Sequence, residues 1–440
     1  AAGAAELKTV EDAAALYEQF DWTEHWYPVG WYRDFEVDKP ARVTLFDVDY
    51  VVVRRPEGTP PIAMLDRCPH RLAALSEGRL TAQGLLQCAY HGWAFDGSTG
   101  ACVSVPQAAA GTPPSNRACA TAVRAEVSQG LLWLHPWKQA ADRASIPTLP
   151  EMEEGSGYRY TPAVREFPVD YSLILENICD PDHGLFAHQQ PAFDLYTASR
   201  EDPQVTRVVA EPPRGGCAGF AIHSEVPAKK VLTAAPAAEA AAEPAAAPVL
   251  RATTRFVPPC HVQICRRDAE DRSKFLTVFW VVPVGVGRVR FLSAGVGQLP
   301  VKPPRWLQHI MLNNFLDQDT YLLATQQPYV LSQEWAAHAS GAGGAAGAPA
   351  AAEAPGRLRR RSAYCYQSPT ERFLIELGRF LDAAVPRMPQ RYASLLLWGR
   401  AAGSCPPREY VLDRWRWHTR LCSDSRAAVR RARAARALGA

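Results

Sequence analysis

The chain has 440 residues, 47% of them hydrophobic and 10% aromatic, so it is long enough for two or three domains with a buried core and does not read as disordered. Its 48 basic and 45 acidic residues leave a net charge of +3, which gives no electrostatic case for binding nucleic acid. Eleven scattered cysteines, an odd number in a large chain, exclude a disulfide-stapled secreted module and fit a reducing compartment.

Residues 1–21 begin at Ala1 and read as a short helical extension without a signal-peptide core or a transit-like Arg and Ser bias, so any targeting segment is expected to have been removed or omitted. From residue 22 to 145, short β-rich runs ("VTLFDVDYVVVRR", "PIAMLDRC", "GLLQCAYHGWAF", "GLLWLHPW") alternate with Gly, Pro and Asp turns. That pattern predicts small antiparallel sheets and an all-β first domain. Within it, "DRCPHRLAALSEGRL" places Cys68 and His70 two positions apart, and "CAYHGW" supplies Cys88 and His91 after seventeen intervening residues. Zinc is the common metal for two Cys and two His, but zinc fingers usually pair like ligands. Two mixed loops suit a Rieske [2Fe-2S] centre instead, where each loop gives a thiolate to one iron and an imidazole to the other. Zinc remains the alternative. Pro69 stiffens the first loop and Gly92 permits close backbone approach in the second, while Tyr90 and Trp93 are placed to shield and hydrogen-bond around the cluster.

After "ASIPTLPEMEEG", the stretch 146–400 mixes strands ("GFAIHSEVP", "RATTRFVPPCHVQICRR", "FLTVFWVVP", "RVRFLSAGVG") with helices at about 171–190, 304–327 and 368–384, an α+β pattern. Ala-rich tracts at 233–248 and 339–356 cannot bury enough apolar surface to order themselves and read as surface insertions. No window supplies the roughly 20 apolar residues of a membrane-spanning helix.

"ENICDPDHGLFAHQQ" gathers Asn177, Asp180, Asp182, His183 and His188. Residues five apart on a helix diverge by about 140°, so the two imidazoles converge only where the helix breaks, and Gly184 is the expected break. Two His with one carboxylate make the facial set of a non-haem iron that binds oxygen. In "WLQHIMLNNFLDQDTYLLATQQ", Asp319 has Phe315, Leu316, Leu322 and Leu323 as its helical neighbours, an apolar face on which a carboxylate needs a partner. Asp317 has Asn313, Asn314, Thr320 and Tyr321 instead, and is expected to be solvated. Asp319 is therefore the expected ligand. Asp180 is placed to hydrogen-bond an imidazole N–H, with a helix cap beside Pro181 as the plainer alternative.

These stretches, with "FDWTEHWYPVGW", "VPQA" and "FLDQDTYLLATQQ", resemble the α-subunits of Rieske non-haem iron oxygenases. More narrowly they resemble the plastid branch containing pheophorbide a oxygenase, over roughly residues 20–335 and more thinly from "CYQSPTERF" onward. The resemblance implies an N-terminal all-β Rieske [2Fe-2S] domain at 22–145, a helix-grip α+β catalytic domain at 146–400 and a basic C-terminal tail at 401–440. It implies a [2Fe-2S] cluster and a mononuclear Fe(II), ferredoxin as electron donor, O2, and a chlorophyll-derived tetrapyrrole substrate. A head-to-tail homotrimer and a chloroplast location, thylakoid- or envelope-associated, come with it. At matching positions His183, His188 and Asp319 would hold the iron, and Asp180 would link the site to a Rieske histidine across subunits, with Asn177, Tyr90 and Trp93 around the metals. Chlorophyllide a oxygenase, protochlorophyllide oxygenase and phyllobilin hydroxylase share both motifs and stand as alternatives. A Rieske electron carrier without oxygenase activity is the alternative of another class, and it would leave Asp319 and the histidine pair without a role.

Two departures stand out. The branch carries a C-terminal Cys-x-x-Cys, but here Cys422 is followed by Ser425, so Cys422 is an isolated candidate redox thiol, read first as an ordinary free one. The branch also tends to end in hydrophobic anchors, whereas "RAAVRRARAARALGA" carries five arginines, which suits at most peripheral contact with an anionic membrane.

Overall fold

The computed structural model describes residues 16–109, 111–180, 182–188, 205–214, 217–227, 249–267, 273–297, 304–342, 358–401 and 405–438. Its first region is made of ten short strands: β1 (Tyr27–Trp31), β2 (Pro40–Leu45), β3 (Val48–Val53), β4 (Ile62–Leu65), β5 (Arg79–Leu80), β6 (Leu86–Gln87), β7 (Ala94–Phe95), β8 (Cys102–Ser104), β9 (Arg124–Ser128) and β10 (Leu131–His135). They form three antiparallel sheets in the orders β1-β10-β9, β2-β3-β4 and β5-β6-β7-β8. The β2–β3 hairpin turns on Phe46 and Asp47, whose φ values of 53° and 57° are unusual for residues with a Cβ. Packing against the second region holds them there: the Phe46 N–H donates to the Pro283 carbonyl at 3.1 Å and that of Asp47 to Val284 at 2.8 Å.

The second region is one seven-stranded antiparallel sheet of β11 (Arg159–Phe167), β12 (Val205–Arg214), β13 (Cys217–Pro227), β14 (Val249–Val257), β15 (His261–Arg267), β16 (Ser273–Gly285) and β17 (Arg288–Gly297). β12 to β17 follow one another as a meander, and β17 pairs with β11. Helices α1 (Tyr171–Cys179) and α2 (Gly184–Ala187) leave the end of β11, and the long α3 (Arg305–Ala342) follows β17. Then come α4 (Arg360–Ala363), α5 (Arg372–Ala384), α6 (Arg391–Ala401), α7 (Arg408–Val411) and α8 (Ser423–Leu438). α1 starts because Asp170, extended at its N-cap, accepts the Ser172 N–H. The same buried carboxylate accepts from Arg391 at 2.7 Å, and Arg391 also reaches Glu334 of α3 at 2.7 Å, which ties α1, α3 and α6 together. The fold is therefore α+β, with small all-β sheets first and a sheet-and-helix region after, as the sequence pattern predicts.

Packing joins the two regions. Trp22, Trp31, Trp133 and Trp280 are buried in one apolar core that spans both, and the Trp31 indole donates to the Ala163 carbonyl at 2.7 Å. A smaller core of Leu75, Leu86, Phe95, Cys68 and Cys88 lies beneath the Cys/His loops.

Several details depart from the sequence reading. The helix expected over 171–190 is two pieces, and the break falls at Asp180–His183; Gly184 instead opens the second piece. α3 does not stop at 327. It runs through Pro328 to Ala342, taking in the first residues of the tract expected to be an insertion, because Gln327, Val330 and Leu331 are buried on either side of the proline and Gln327 accepts the Asp170 N–H at 2.6 Å. Asp317 is not solvated: Arg165 of β11 lies 2.6 Å away and Arg414 2.5 Å away, so this polar face of α3 is turned inward onto arginines. The expected basic tail is partly packed down, with Val411, Trp417, His418, Cys422 and Ser425 buried, while 407–410, Trp415, Arg416, Arg420 and the last turns of α8 stand exposed. The 1–15 part of the N-terminal extension and the 233–248 tract lie outside the described residues. None of the described helices is long and apolar enough to cross a membrane.

Candidate metal centres

The loops carrying Cys68/His70 and Cys88/His91 are the same turn built twice. In one, the Cys68 N–H donates to the Ala73 carbonyl at 2.8 Å and the Leu72 N–H returns to Cys68 at 2.9 Å; in the other, Cys88 donates to Trp93 at 2.9 Å and Gly92 to Cys88 at 3.1 Å. Leu72 and Gly92 take matching positive φ values of 63° and 73°. The shared turn explains how C-x-H and C-x2-H present equivalent ligands despite unequal spacing.

Both thiols are buried and next to one another. Burial first, and the neighbouring Cys88 after it, push the Cys68 thiol up to about 11, so the pocket is poor for free thiolates and suited to thiolates that a metal neutralises. The imidazoles lie on the outer side, with His70 exposed and the two ring centroids 4.5 Å apart. Trp93 stacks on His70 at 4.5 Å, and Tyr90 lies against His91 with ring centroids 4.0 Å apart, its own outer side exposed.

The second cluster is interior. His183 caps the start of α2 and His188 its end, and across from them Asp319 of α3 presents one carboxylate oxygen 3.0 Å from His188 Nε2 and 3.9 Å from His183 Nε2. Each imidazole has its other nitrogen committed. His183 Nδ1 lies 2.6 Å from the Asp180 carbonyl and His188 Nδ1 3.1 Å from Gln318 Oε1, so both N–H groups donate there and both Nε2 lone pairs face Asp319. Phe315 stacks on His188 at 3.6 Å. Three ligand atoms thus lie within 4.8 Å of one another with tautomers set for a metal. A facial two-His-one-carboxylate set leaves positions open for other ligands.

The side chain of Asp180 does not reach either imidazole. It accepts the Asp182 N–H at 2.8 Å and the His183 N–H at 3.3 Å in the turn that leads into α2, while its backbone carbonyl orients His183. Burial pushes its carboxyl above the ordinary range, with the opposing influence of His183 second. Asn177, Asp180, His183 and Asp319 line a cavity of about 450 Å³, together with Glu176, Leu322 and Tyr364. That volume falls in the range of roughly 300–1,000 Å³ typical of small-molecule sites. Sequence reasoning did not single out Gln318 or Glu176. Gln318 adjoins Asp319 and so was findable in principle; Glu176 is paired with Arg360 at 2.7 Å, a residue nearly two hundred positions away.

Residues 25–123 match the Rieske [2Fe-2S] domain family, and 256–335, the segment that carries Asp319, match the pheophorbide a oxygenase family. Chloroplastic pheophorbide a oxygenase of Oryza sativa subsp. japonica is 39% identical over 191 residues, covering 42% of this chain and 36% of the relative. Chloroplastic protein TIC 55 of Arabidopsis thaliana is 31% identical over 339 residues, covering 74% of this chain and 58% of the relative. The chain thus spans between about a third and three fifths of the length of these relatives. Dicamba monooxygenase bound to 3,6-dichlorosalicylic acid has the same fold, with a TM-score of 0.58 at 20% identity over 82% of this chain and 98% of that one. The family's cofactors are a [2Fe-2S] cluster and a mononuclear non-haem iron, and the buried thiol pair with its outer imidazoles and the interior His/His/Asp set fit them. The chain thus carries a Rieske [2Fe-2S] domain followed by a segment of the pheophorbide a oxygenase family, and the relatives it resembles include chloroplastic pheophorbide a oxygenase and TIC 55.

Proposed function

We propose that this protein is a ferredoxin-dependent Rieske monooxygenase that uses O2 to oxygenate a chlorophyll-derived tetrapyrrole, as in chlorophyll breakdown. Cys68, His70, Cys88 and His91 would hold the [2Fe-2S] cluster, and His183, His188 and Asp319 the mononuclear iron. The observation that carries the reading is Asp319: it lies in the segment matching pheophorbide a oxygenase and meets both histidines at the wall of the cavity. When bound, the iron supplies oxygen activation and the cluster supplies single electrons.

The chain's own residues do the placing. The Asp180 carbonyl and Gln318 hold the two imidazoles in one tautomer, and Phe315 fixes the plane of His188. Leu173, Leu322 and Leu323 give the cavity an apolar wall suited to a macrocycle, and Glu176, Asn177 and Tyr364 give it polar points. His70 at the surface suits electron transfer from a docked donor. Asp180 faces the cavity with part of its hydrogen-bonding capacity unspent in the turn before α2, which supports a role as the link to a cluster histidine of a neighbouring subunit in a closed head-to-tail trimer. The chloroplastic relatives support a plastid location, and the exposed arginines of α8 support peripheral contact with an anionic membrane.

The test is turnover of a panel of tetrapyrroles with reduced ferredoxin and labelled oxygen gas. Label entering pheophorbide a is expected. No label in any tetrapyrrole would overturn the substrate class, and an iron count near two per chain, rather than about three, would favour a Rieske electron carrier.

A further inference from the structure

Away from both centres, His309, His418 and Cys422 bring two imidazole nitrogens and a sulfur within 4.8 Å of one another, and all three side chains are at least 95% buried. They come from separate elements. His309 sits in the first turns of α3, Cys422 immediately precedes α8, and His418 lies in a π-helical turn, Trp415–Thr419, a local irregularity that often marks a functional position.

The tautomers are set. His309 Nε2 lies 2.9 Å from the Pro162 carbonyl and must donate to it, leaving Nδ1 as a lone pair; that Nδ1 is buried without a hydrogen-bond partner. His418 Nδ1 lies 2.7 Å from the Val164 carbonyl and must donate, leaving Nε2 as a lone pair 3.2 Å from Ser425 Oγ. Anchoring the far nitrogen to a carbonyl is how proteins hold metal-bound histidines, and the interior iron set is held the same way. Burial above all keeps both imidazoles neutral, with smaller help from Arg305 and Arg165 nearby, His309 and His418 being lowered to about 4. The positive groups nearby are themselves neutralised: Arg305 by Asp34 at 2.7 Å, and Arg165 by Asp317 at 2.6 Å.

We infer that His309, His418 and Cys422 form a third metal centre, a structural zinc site that fastens the C-terminal segment to α3 and β11. Two neutral imidazoles and one thiol are a donor set for this borderline-soft cation. On binding, the Cys422 thiol loses its proton to solvent and the zinc–sulfur bond forms, with no change of oxidation state. Ser425, three residues after Cys422, has its hydroxyl beside this set, 3.2 Å from His418 Nε2. Bonds of about 2.0 Å to nitrogen and 2.3 Å to sulfur place tetrahedral ligand atoms about 3.3–3.5 Å apart, so the three would close by about 1.5 Å or less.

The test uses the full-length holoprotein with its iron in place, titrated with zinc against a chromophoric chelator, with iron and zinc counted per chain and the zinc environment read by X-ray absorption. One zinc per chain is expected, with two nitrogen and one sulfur ligands, and it should raise the melting temperature. His309→Gln and Cys422→Ser should each weaken zinc binding by roughly 100-fold, and Ser425→Cys should tighten it by at least about 10-fold. Ser425→Cys is a gain that misfolding cannot imitate. Wild-type protein that takes up no zinc, or zinc held equally by His309→Gln and Cys422→Ser, would overturn the site. Zinc whose binding is lost in His188→Ala instead would place it in the iron set and overturn the site too.

Discussion

In the 66–93 region four ligand-type side chains come from two nearby loops with one shared turn, and the thiols face inward while the imidazoles face out. In the interior site the order is reversed: the histidines bracket a four-residue helix, the carboxylate comes from a helix some 130 residues downstream, and His183 and Asp319 face a cavity. On the proposed function, the difference follows from what each centre must reach. A centre that takes electrons from a separate protein needs one edge at the surface, whereas one that binds a small molecule with oxygen needs a lined cavity. The two also differ in what supports them. The loops rest on a small core and backbone turns, while the interior site rests on buried ion pairs that lock α1, α3 and α6.

The comparison breaks if the two regions cannot be disabled separately. Asp319→Ala should take turnover to background and remove one iron while leaving the Rieske spectrum, and Cys68→Ser should remove that spectrum and two irons while leaving the interior one. Loss of both signals in either variant would show one centre depending structurally on the other. The next largest effect is on the frame. Arg391→Ala leaves Asp170 and Glu334 buried without their partner and should cost about 3–5 kcal/mol of stability, measured by denaturant unfolding. That frame should also be acid-sensitive. Burial alone would raise Asp170 and Glu166, but Arg391 and Arg290 beside them more than reverse this and hold both below the ordinary carboxylate range. Their stabilisation is therefore complete above about pH 5.5 and is lost progressively as pH falls further, which a melting series from pH 7 to 3 will show.

Gln318→Leu removes the acceptor for His188 Nδ1 and should weaken iron binding by roughly 10–100-fold, read by iron retention against a chelator, with the Rieske spectrum unchanged. In the loops, Gly92→Ala puts a side chain at a φ of 73° and 3.1 Å from Pro106, and should cost about 1–2 kcal/mol. The smallest effect is the reverse change in the other loop. Leu72→Gly relieves a φ of 63° and should stabilise by roughly 0.5–1 kcal/mol in the same melting assay, because the gain is partly offset by greater freedom in the unfolded chain.

Much of this was legible before any coordinates. The Cys68, His70, Cys88 and His91 spacing reports directly because all four lie within 24 residues and local turns decide where they point. The strands of the second region were legible from apolar runs, and Asp319 was preferred over Asp317 because helical periodicity alone puts it on an apolar face. The same periodicity misread Asp317: its polar neighbours do face Asp317, but tertiary packing turned that face onto Arg165 and Arg414. α3 outran its expected end for a similar reason, since a proline costs one hydrogen bond and buried neighbours on either side can outweigh it. By itself the sequence determined the ligand types, the local turns and the faces of helices, which depend on a few neighbouring residues. Only the tertiary structure decided what met across elements: Asp319 with the two histidines, Gln318 behind one of them, and His309 with His418 and Cys422. Those distances depend on how sheet and helices pack, which no local spacing encodes.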